Sequence, residues 1–190
     1  MATYITERQV RAKIGVIDTQ TARIFIAAHN AISGLRDSFD IFLSHSINDA
    51  GLILGVRRLL EEAGKTVYID WIDDPDLERN RVSGKTAEKL RLRMNQCSTL
   101  LYAYSQSSQR SRWMPWELGY FDGLNGNVAI LPIIPDQGTL DFEKEEYLQL
   151  YPKIDLVGTS LFVNQAQKIE TARHKTFDDW RNGADKLRPG

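Results

Sequence analysis

The sequence predicts a single α/β domain in which helices cover both faces of a central parallel sheet. Three observations support this fold class. Five apolar strand candidates alternate with helix candidates along a chain of 190 residues. Most of these strand candidates are apolar at consecutive positions, which is typical of strands buried on both faces. The length fits one domain with appendages, and right-handed crossovers would connect its parallel strands.

A helix is predicted before the sheet. Large apolar residues recur every three or four positions over residues 10–32, which places them along one side of a long helix, and Gly34 provides a stop. Such a helix either docks on its own domain or contacts a second copy. The first interpretation is favoured, because the stripe lacks the sustained charge pairs that flank a coiled-coil seam. Residues 1–36 are therefore treated as an N-terminal helical extension.

The first two predicted strands cover residues 40–44 and 66–70. Candidate caps for the intervening helix follow the first strand: Ser46, Asn48 and Asp49. Gly64 ends that helix. Residues 71–82 are too polar for the interior of an element, and a segment of this length is expected to be an ordered functional loop.

The second half of the chain repeats the same alternation. The predicted elements are a helix capped by Ser83, a strand at residues 98–104, a helix that starts near Pro115, a strand at residues 128–134, a short helix near residues 142–151, a strand at residues 156–163 and a closing helix at residues 165–180. The sheet domain is therefore placed at residues 37–163, and a C-terminal helix and tail at residues 164–190.

Charge and hydropathy exclude several classes of partner. The chain carries 24 Lys and Arg against 25 Asp and Glu without a basic block, so neither nucleic acid nor a membrane is expected as a partner. Its apolar stretches are much shorter than the roughly 20 residues that a bilayer span needs. Charged residues near the N-terminus are not followed by a continuous apolar region, unlike a secretory signal, so we expect a cytoplasmic protein.

The cysteine and histidine content argues against a disulfide or a metal site. A single cysteine, Cys97, excludes an intramolecular disulfide and a cysteine-based zinc site, and it is predicted to pack in the interior. The three histidines, His29, His45 and His174, are too far apart in sequence to form a local metal motif.

The predicted sheet indicates where a ligand would bind. In an open parallel sheet the crevice lies beyond the carboxyl ends of the strands, where the strand order reverses. If the order is 2-1-3-4-5, this point lies between the first and third strands. The residues expected to line the crevice are then Ser44, His45, Ser46, Tyr104 and Ser105. The first strand is not followed by Gly-x-Gly-x-x-Gly, so a dinucleotide bound in the usual Rossmann manner is not indicated.

The segment 113–123 is dense in aromatic residues and holds one glutamate, Glu117. Proline is tolerated in the first turn of a helix but costs about 3 kcal/mol in its interior, so Pro115 predicts a start at Met114 or Pro115. Glu117 then falls in the first turn, where the helix dipole favours a carboxylate. On these residues alone, Glu117 is either functional or an ordinary capping residue, and Trp113 borders the crevice or packs in the core.

Three motifs together resemble the Toll/interleukin-1 receptor (TIR) domain, particularly its bacterial branch. They are Phe-Leu-Ser-His-Ser ending at Ser46, Asp70-Trp71 with an acidic loop behind it, and Trp113-x-x-x-Glu117-Leu-Gly. The resemblance covers residues 37–163. It implies a flavodoxin-like three-layer sandwich with a five-stranded parallel sheet of order 2-1-3-4-5, here with an added N-terminal helix. Pro115 and Trp116 stand where many members have smaller or polar residues.

The resemblance also implies an activity. Catalytic members cleave the nicotinamide–ribose bond of NAD+, and the matching residues make Glu117 catalytic and place Trp113 at the nicotinamide end. One carboxylate suffices, because nicotinamide departs neutral while positive charge develops on the ribose. NAD+ is then the substrate, and no metal or other cofactor is required. The residues expected to bind substrate are Ser44, His45, Ser46, Asp70, Trp71, Tyr104 and Trp113.

The implied function is that of an NAD+ nucleosidase or cyclase. Its product would be ADP-ribose or a cyclic ADP-ribose signal, as in an anti-phage (Thoeris-like) system. The implied partners are further copies of the TIR domain and a downstream effector that senses the nucleotide. The loop at residues 71–84 would gate the site and take part in self-association.

Two alternatives remain open, and one is excluded. The chain could be a non-catalytic TIR interaction module, or a nucleoside deoxyribosyltransferase-like enzyme. A receiver domain requires an acidic pair after the first strand and an aspartate after the third, whereas Ser44-His45 and Tyr104-Ser105 occupy those places. The sequence leaves open whether the product is linear, cyclic or conjugated.

Overall fold

A computed structural model describes residues 4–14, 38–74, 83–137, 139–140, 145–164 and 174–183. Within these residues the strands are β1 (Ile5–Thr6), β2 (Phe39–Ser44), β3 (Val67–Tyr68), β4 (Cys97–Tyr104), β5 (Val128–Ile134), β6 (Lys153–Val157), β7 (Ser160–Asn164) and β8 (His174–Thr176). The α-helices are α1 (Glu7–Ile14), α2 (Ala50–Glu62), α3 (Asp70–Asp73), α4 (Gly84–Asn95), α5 (Trp113–Asn125) and α6 (Phe177–Arg181). None of the helices described is both long and apolar enough to cross a bilayer.

The centre of the fold is a parallel sheet of order β3-β2-β4-β5-β6. In order of appearance of the predicted strands this is 2-1-3-4-5, so the predicted order is confirmed. Alternate residues of β2 and β4 face opposite sides of the sheet. On one side they pack against α1, α2 and α6, and on the other against α4 and α5. The three-layer arrangement is therefore confirmed as well.

The prediction of a single fifth strand at residues 156–163 is wrong, because this segment contains the turn of a hairpin between β6 and β7. The chain reverses between β6 and β7 at Gly158, whose φ is +62°, a conformation that glycine adopts without strain. Strand β8 then pairs antiparallel with β7. The closing helix predicted at residues 165–180 is also wrong at its end, since residues 174–176 form β8 and only Phe177–Arg181 is helical. Residues 165–173 lie outside the described part of the chain.

The second predicted strand is shorter than expected. Strand β3 has two residues, and Asp70 opens the one-turn helix α3 instead of ending the strand. The side chain of Asp73 accepts a hydrogen bond from the Ile69 N–H at 2.7 Å, which stabilises this turn. Residues 75–82 of the predicted functional loop lie outside the described residues. The short helix expected near residues 142–151 is a 3-10 turn at Glu146–Leu150.

The N-terminal segment is docked on the domain through two elements. Strand β1 pairs in parallel with Ile133 and Ile134 at the carboxyl end of β5. It was not predicted, because a strand of two residues is too short to show an apolar pattern. Helix α1 lies so close to α2 that a Cβ at Gly55 would stand 2.3 Å from the carbonyl oxygen of Val10. The absence of a side chain at Gly55 permits this contact. The described part of the predicted helix at residues 10–32 ends at Ile14, and residues 15–37 are not described.

A buried aspartate holds α4 against β3. Asp74 accepts hydrogen bonds from the Tyr68 hydroxyl at 2.8 Å and from two guanidinium nitrogens of Arg93 at 2.6 and 3.0 Å. Lys89 lies 2.9 Å from the same carboxylate. Burial alone would raise the pKa of Asp74, but the hydrogen bonds from Arg93, Lys89 and Tyr68 outweigh it and lower the pKa to about 2. The charged form therefore stabilises the folded protein.

This pKa predicts how stability depends on acid. In Asp74→Asn we expect the free energy of unfolding at about pH 7 to fall by about 2 kcal/mol, because the lowered pKa favours the folded state wherever an unfolded aspartate is ionised. This advantage is complete above about pH 4 and is lost as the pH falls through about 2, where the variant and wild type converge. Urea unfolding across this range measures the difference. The exposed Asp136→Asn serves as control, and an equal loss there would contradict the assignment.

Candidate functional site

The carboxyl ends of β2 and β4 bring the predicted site residues together. Ser44 is the last residue of β2, and its hydroxyl donates a hydrogen bond of 2.6 Å to Oε2 of Glu117 on α5. Both side chains have no exposed surface. The end of the first predicted strand therefore contacts the helix that follows the third predicted strand, as expected.

Glu117 lies one or two residues further into its helix than predicted. Helix α5 starts at Trp113, so Pro115 is its third residue and Glu117 its fifth. The start precedes the predicted one because proline fits anywhere in a first turn, where the N–H groups have no acceptor within the helix. The residue before the helix, Arg112, makes no side-chain capping bond, and the Ser111 hydroxyl accepts a hydrogen bond from the Met114 N–H at 3.3 Å. Because the helix dipole fades within one turn, its effect on Glu117 is smaller than the predicted first-turn position implied.

The residues expected to line the crevice are all buried. They are Ser44, His45, Ser46, Tyr104 and Ser105. Glu117 shares a buried helix face with Met114, Leu118 and Phe121, which pack on the sheet, and this packing explains its burial. The Glu117 carboxylate was expected to face the crevice, but Glu117 has no exposed surface. A substrate can reach the carboxylate only after neighbouring side chains move.

A tyrosine that the sequence analysis missed lies next to this pair. Tyr102 is the direct neighbour of Ser44 across β2 and β4, and it is buried. Burial, a hydrogen bond with Tyr147 and the negative charges of Glu145 and Glu117 raise the pKa of its phenol, so Tyr102 stays neutral. Its role could not be read from the sequence, because a tyrosine within an apolar strand is typical of core packing.

His45, Trp71 and Asp70 form a separate cluster on the β3 side. The ring nitrogen Nδ1 of His45 lies 2.8 Å from the Leu43 carbonyl oxygen, and the indole N–H of Trp71 donates to Nε2 at 2.7 Å. Both contacts are hydrogen bonds when the proton is on Nδ1 and Nε2 is an acceptor. A carboxylate oxygen of Asp70 lies 3.6 Å from the same Nε2. Trp71 is therefore bound to His45 through its edge.

The remaining predicted site residues have local contacts. Ser46 caps the 3-10 turn Ile47–Asp49 by accepting from the Asn48 N–H. The Tyr104 hydroxyl accepts a hydrogen bond from the Gln109 amide at 3.0 Å. Trp113 is half-buried and lies edge-on to Trp116, with ring centroids 5.4 Å apart. The structure thus joins Ser44 to Glu117 and Trp71 to His45, and it places Ser46 and Tyr104 at the same edge of the sheet.

Neither a metal centre nor a reactive thiol is found among the residues described. No group of three His, Cys, Asp or Glu side chains in these ranges could hold a metal ion. Cys97 is the first residue of β4 and is buried, so the prediction that it packs in the interior is confirmed. Burial raises the pKa of its thiol, which keeps it protonated and unreactive.

The family model described as "TIR domain" matches residues 41–175. The chain belongs to the TIR-domain family. A Bacillus cereus (strain MSX-D12) protein named as a probable 3′ cyclic ADP-D-ribose synthase, ThsB′, is 47% identical over 144 residues, which cover 76% of this chain and 74% of that relative. A Cytobacillus dafuensis protein named as a candidate cyclic ADP-D-ribose synthase, TIR2, is 31% identical over 83 residues, 43% of this chain and 22% of that relative.

Family membership confirms the resemblance that three motifs predicted. All three lie within the matched range, and the Trp-x-x-x-Glu spacing corresponds to the first and fifth residues of α5. In this TIR domain the sheet continues past the parallel strands through β7 and β8, and the matched range ends within β8. The assignment of catalytic and substrate-binding roles stays a prediction.

The His45 contacts predict its tautomer. We expect the neutral imidazole to carry its proton on Nδ1, because Nε2 accepts from Trp71. In Trp71→Phe, which lacks the indole donor, the share of the Nε2–H tautomer should increase, whereas Trp113→Phe should leave His45 unchanged. Nitrogen chemical shifts of labelled protein measure both. A proton on Nε2 in the wild type would contradict the geometry.

Proposed function

We propose that this TIR domain cleaves the nicotinamide–ribose bond of NAD+ and closes the ADP-ribose that remains into a cyclic product. The observation that carries the proposal is the Glu117 carboxylate, held by Ser44 at the carboxyl edge of the sheet. It stands in the Trp-x-x-x-Glu motif of a chain that is 47% identical to a relative named as a cyclic ADP-ribose synthase. Release of linear ADP-ribose is the competing outcome.

The proposed chemistry needs one carboxylate. When the bond breaks, its electron pair leaves with nicotinamide, which departs neutral, and positive charge develops at the ribose carbon. A fixed negative charge beside that carbon lowers the barrier more than a mobile one, because it needs no reorganisation. Ser44 supplies this fixation through its 2.6 Å hydrogen bond. In ring closure a hydroxyl oxygen of the same molecule then bonds to the carbon and loses its proton, whereas in hydrolysis water does so.

The proposed substrate contacts follow the edge of the sheet. Trp113, one turn before Glu117 on α5, would stack on nicotinamide. The other side chains assigned to NAD+ are Ser44, His45, Ser46, Asp70, Trp71 and Tyr104. Because these residues are buried or half-buried here, NAD+ binding requires an opened conformation. NAD+ is the substrate in this scheme, without a separate cofactor.

We further propose a biological setting that follows from the product. A cyclic nucleotide is a signal only if another protein senses it, so a downstream effector would be the partner of this pathway. Defence against phage in the cytoplasm, where NAD+ is abundant, fits such a signal. Self-association through the TIR domain would control when it is made.

A non-catalytic interaction module is the second candidate, and one observation favours it. Glu117 has no exposed surface, and a buried carboxylate that accepts a hydrogen bond from a serine can also be purely structural. A nucleoside deoxyribosyltransferase-like activity is less favoured, because the family match is to TIR domains. Nicotinamide release from NAD+ separates these possibilities.

The role of Glu117 is tested by nicotinamide release. At high protein concentration we expect the wild type to release nicotinamide from NAD+. In Glu117→Gln the rate of release should fall about 100-fold or more, because the charge that stabilises the ribose cation is removed. Glu88→Gln, which changes an exposed glutamate of α4, should retain wild-type activity. Chromatography of the same samples identifies cyclic or linear ADP-ribose. Equal release by the wild type and Glu117→Gln would contradict the proposed role.

Activity should depend on assembly. Glu117 is shielded in the single chain, and binding to a second copy can stabilise an open state that is rare in the monomer. We therefore expect specific activity to rise with protein concentration, together with the oligomer fraction measured by light scattering. Full turnover in a strictly monomeric sample would contradict this expectation.

A further inference from the structure

Asp49 occupies a capping position without acting as a cap. It is the residue before α2, where an aspartate normally accepts hydrogen bonds from the first N–H groups of the helix. Its side chain makes no such bond here. Instead, Oδ2 of Asp49 accepts a hydrogen bond of 2.5 Å from the hydroxyl of Ser105, the residue that follows β4. Both side chains are buried, so this bond crosses between two loops in the interior.

The Asp49–Ser105 pair mirrors the Ser44–Glu117 pair. In the first pair, the segment after β2 supplies the carboxylate and the segment after β4 supplies the serine. In the second, the end of β2 supplies the serine and α5 supplies the carboxylate at 2.6 Å. Two buried serine–carboxylate hydrogen bonds therefore join the region at the end of β2 to the region that runs from the end of β4 into α5. Each region supplies the serine donor of one bond and the carboxylate acceptor of the other. They meet where the strand order reverses and where the proposed site lies.

Ser105 transmits this contact to the loop before α5. Its hydroxyl oxygen accepts hydrogen bonds from the N–H groups of Ser107 and Ser108, at 3.2 and 3.1 Å. The Ser108 hydroxyl in turn accepts from the Ser105 N–H and donates to the Ser105 carbonyl oxygen. The turn Ser108–Arg110 then leads to Ser111, whose hydroxyl accepts a hydrogen bond from the Met114 N–H in the first turn of α5. A continuous set of short contacts thus runs from Asp49 to the helix that carries Glu117.

The surroundings of Asp49 make it dependent on Ser105. Burial raises the pKa of Asp49, and the hydrogen bonds from Ser105 and Ser107 offset part of that rise. The negative charge of Glu7 on α1 adds to the rise, while Arg110 opposes it. A buried carboxyl without such donors would be costly, so the Asp49 side chain is held in one place. The buried Ser105 hydroxyl likewise needs an acceptor for its proton, and Asp49 is that acceptor.

We propose that Asp49 is a positioning residue for the NAD+ reaction: through Ser105 it fixes the loop between β4 and α5, and so sets the position of Glu117 relative to Ser44. The proposal rests on the function proposed above. A displacement of about 1 Å at a catalytic group can cost on the order of 100-fold in rate. Loss of this contact should therefore reduce turnover without removing any group that touches the substrate.

The first test separates turnover from binding. In Asp49→Ala we expect kcat for nicotinamide release to fall about tenfold or more while KM changes less than about threefold. Asp49→Asn should restore kcat to within about threefold of wild type, because its amide oxygen can accept the Ser105 hydrogen bond. Ser105→Ala should also lower kcat, and the double variant should lose less than the product of the two single losses, since the Asp49–Ser105 contact is lost in all three.

Asp40 provides a matched control. It is also an aspartate that accepts a hydrogen bond from a hydroxyl, that of Thr66 at 2.9 Å, but it lies at the amino end of β2, away from the site. Asp40→Ala should lower the free energy of unfolding and leave the kcat of the folded protein unchanged. A wild-type kcat in Asp49→Ala, or an equal fall in Asp40→Ala, would overturn the proposal.

A second measurement does not depend on activity. Hydrogen exchange of peptides covering residues 105–117 should quicken in Asp49→Ala, because the Ser107 and Ser108 N–H groups lose a fixed acceptor, and should remain as wild type in Asp40→Ala. Unchanged exchange in Asp49→Ala would overturn the positioning role whatever the activity. If Glu117→Gln releases as much nicotinamide as the wild type, the proposed function fails. If only Asp49→Ala behaves as wild type, the function stands and the Asp49 inference fails.

Discussion

The hydrogen bond from Ser44 to Glu117 joins residues that are 73 positions apart in the sequence. It exists because β2 and β4 are adjacent and parallel, so that both end at the same edge of the sheet, and because α5 returns across that edge. A carboxylate that leaves water needs such a partner, since an uncompensated buried charge is strongly unfavourable. Loss of this contact would separate the Trp-x-x-x-Glu segment of α5 from the end of β2.

Burial of Glu117 is consistent with catalysis only if the protein has a second conformation. Low-dielectric surroundings strengthen the effect of a carboxylate on a developing cation, so a site that excludes water favours the reaction once substrate is inside. The same surroundings block entry. In this structure Trp71 is bound to His45, and the residues expected to line the crevice are buried. In the proposed scheme, activation of this TIR domain shifts the balance towards a state that admits NAD+.

Segments outside the five parallel strands are part of the same folded unit. Strand β1 adds to the carboxyl end of β5, and α1 packs on α2 at Gly55. At the opposite end, Arg181 of α6 pairs with Asp40 at the start of β2, and Lys65 pairs with Asp178 at 2.7 Å. The N-terminal segment also brings Glu7 close enough to influence Asp49. Both termini of the described chain thus support the sheet that positions the site, so changes there can reach the site through packing.

Elements with a strong local signal were predictable from the order of residues alone. The apolar runs located β2, β4 and β5, the Ser83 cap located the start of α4, and the motifs containing Ser44, Trp71 and Glu117 identified the family. The errors of prediction fell where local pattern is ambiguous: the hairpin at Gly158 has the composition of one strand, and Pro115 permits more than one helix start. Three features became visible only in the folded chain. Glu117 is buried, and Tyr102 lies beside Ser44. Asp49 binds Ser105 instead of capping α2. The physical reason is that hydrophobic periodicity specifies which face of an element is buried, whereas the partner of a buried polar group depends on strand register and on residues far away in the chain.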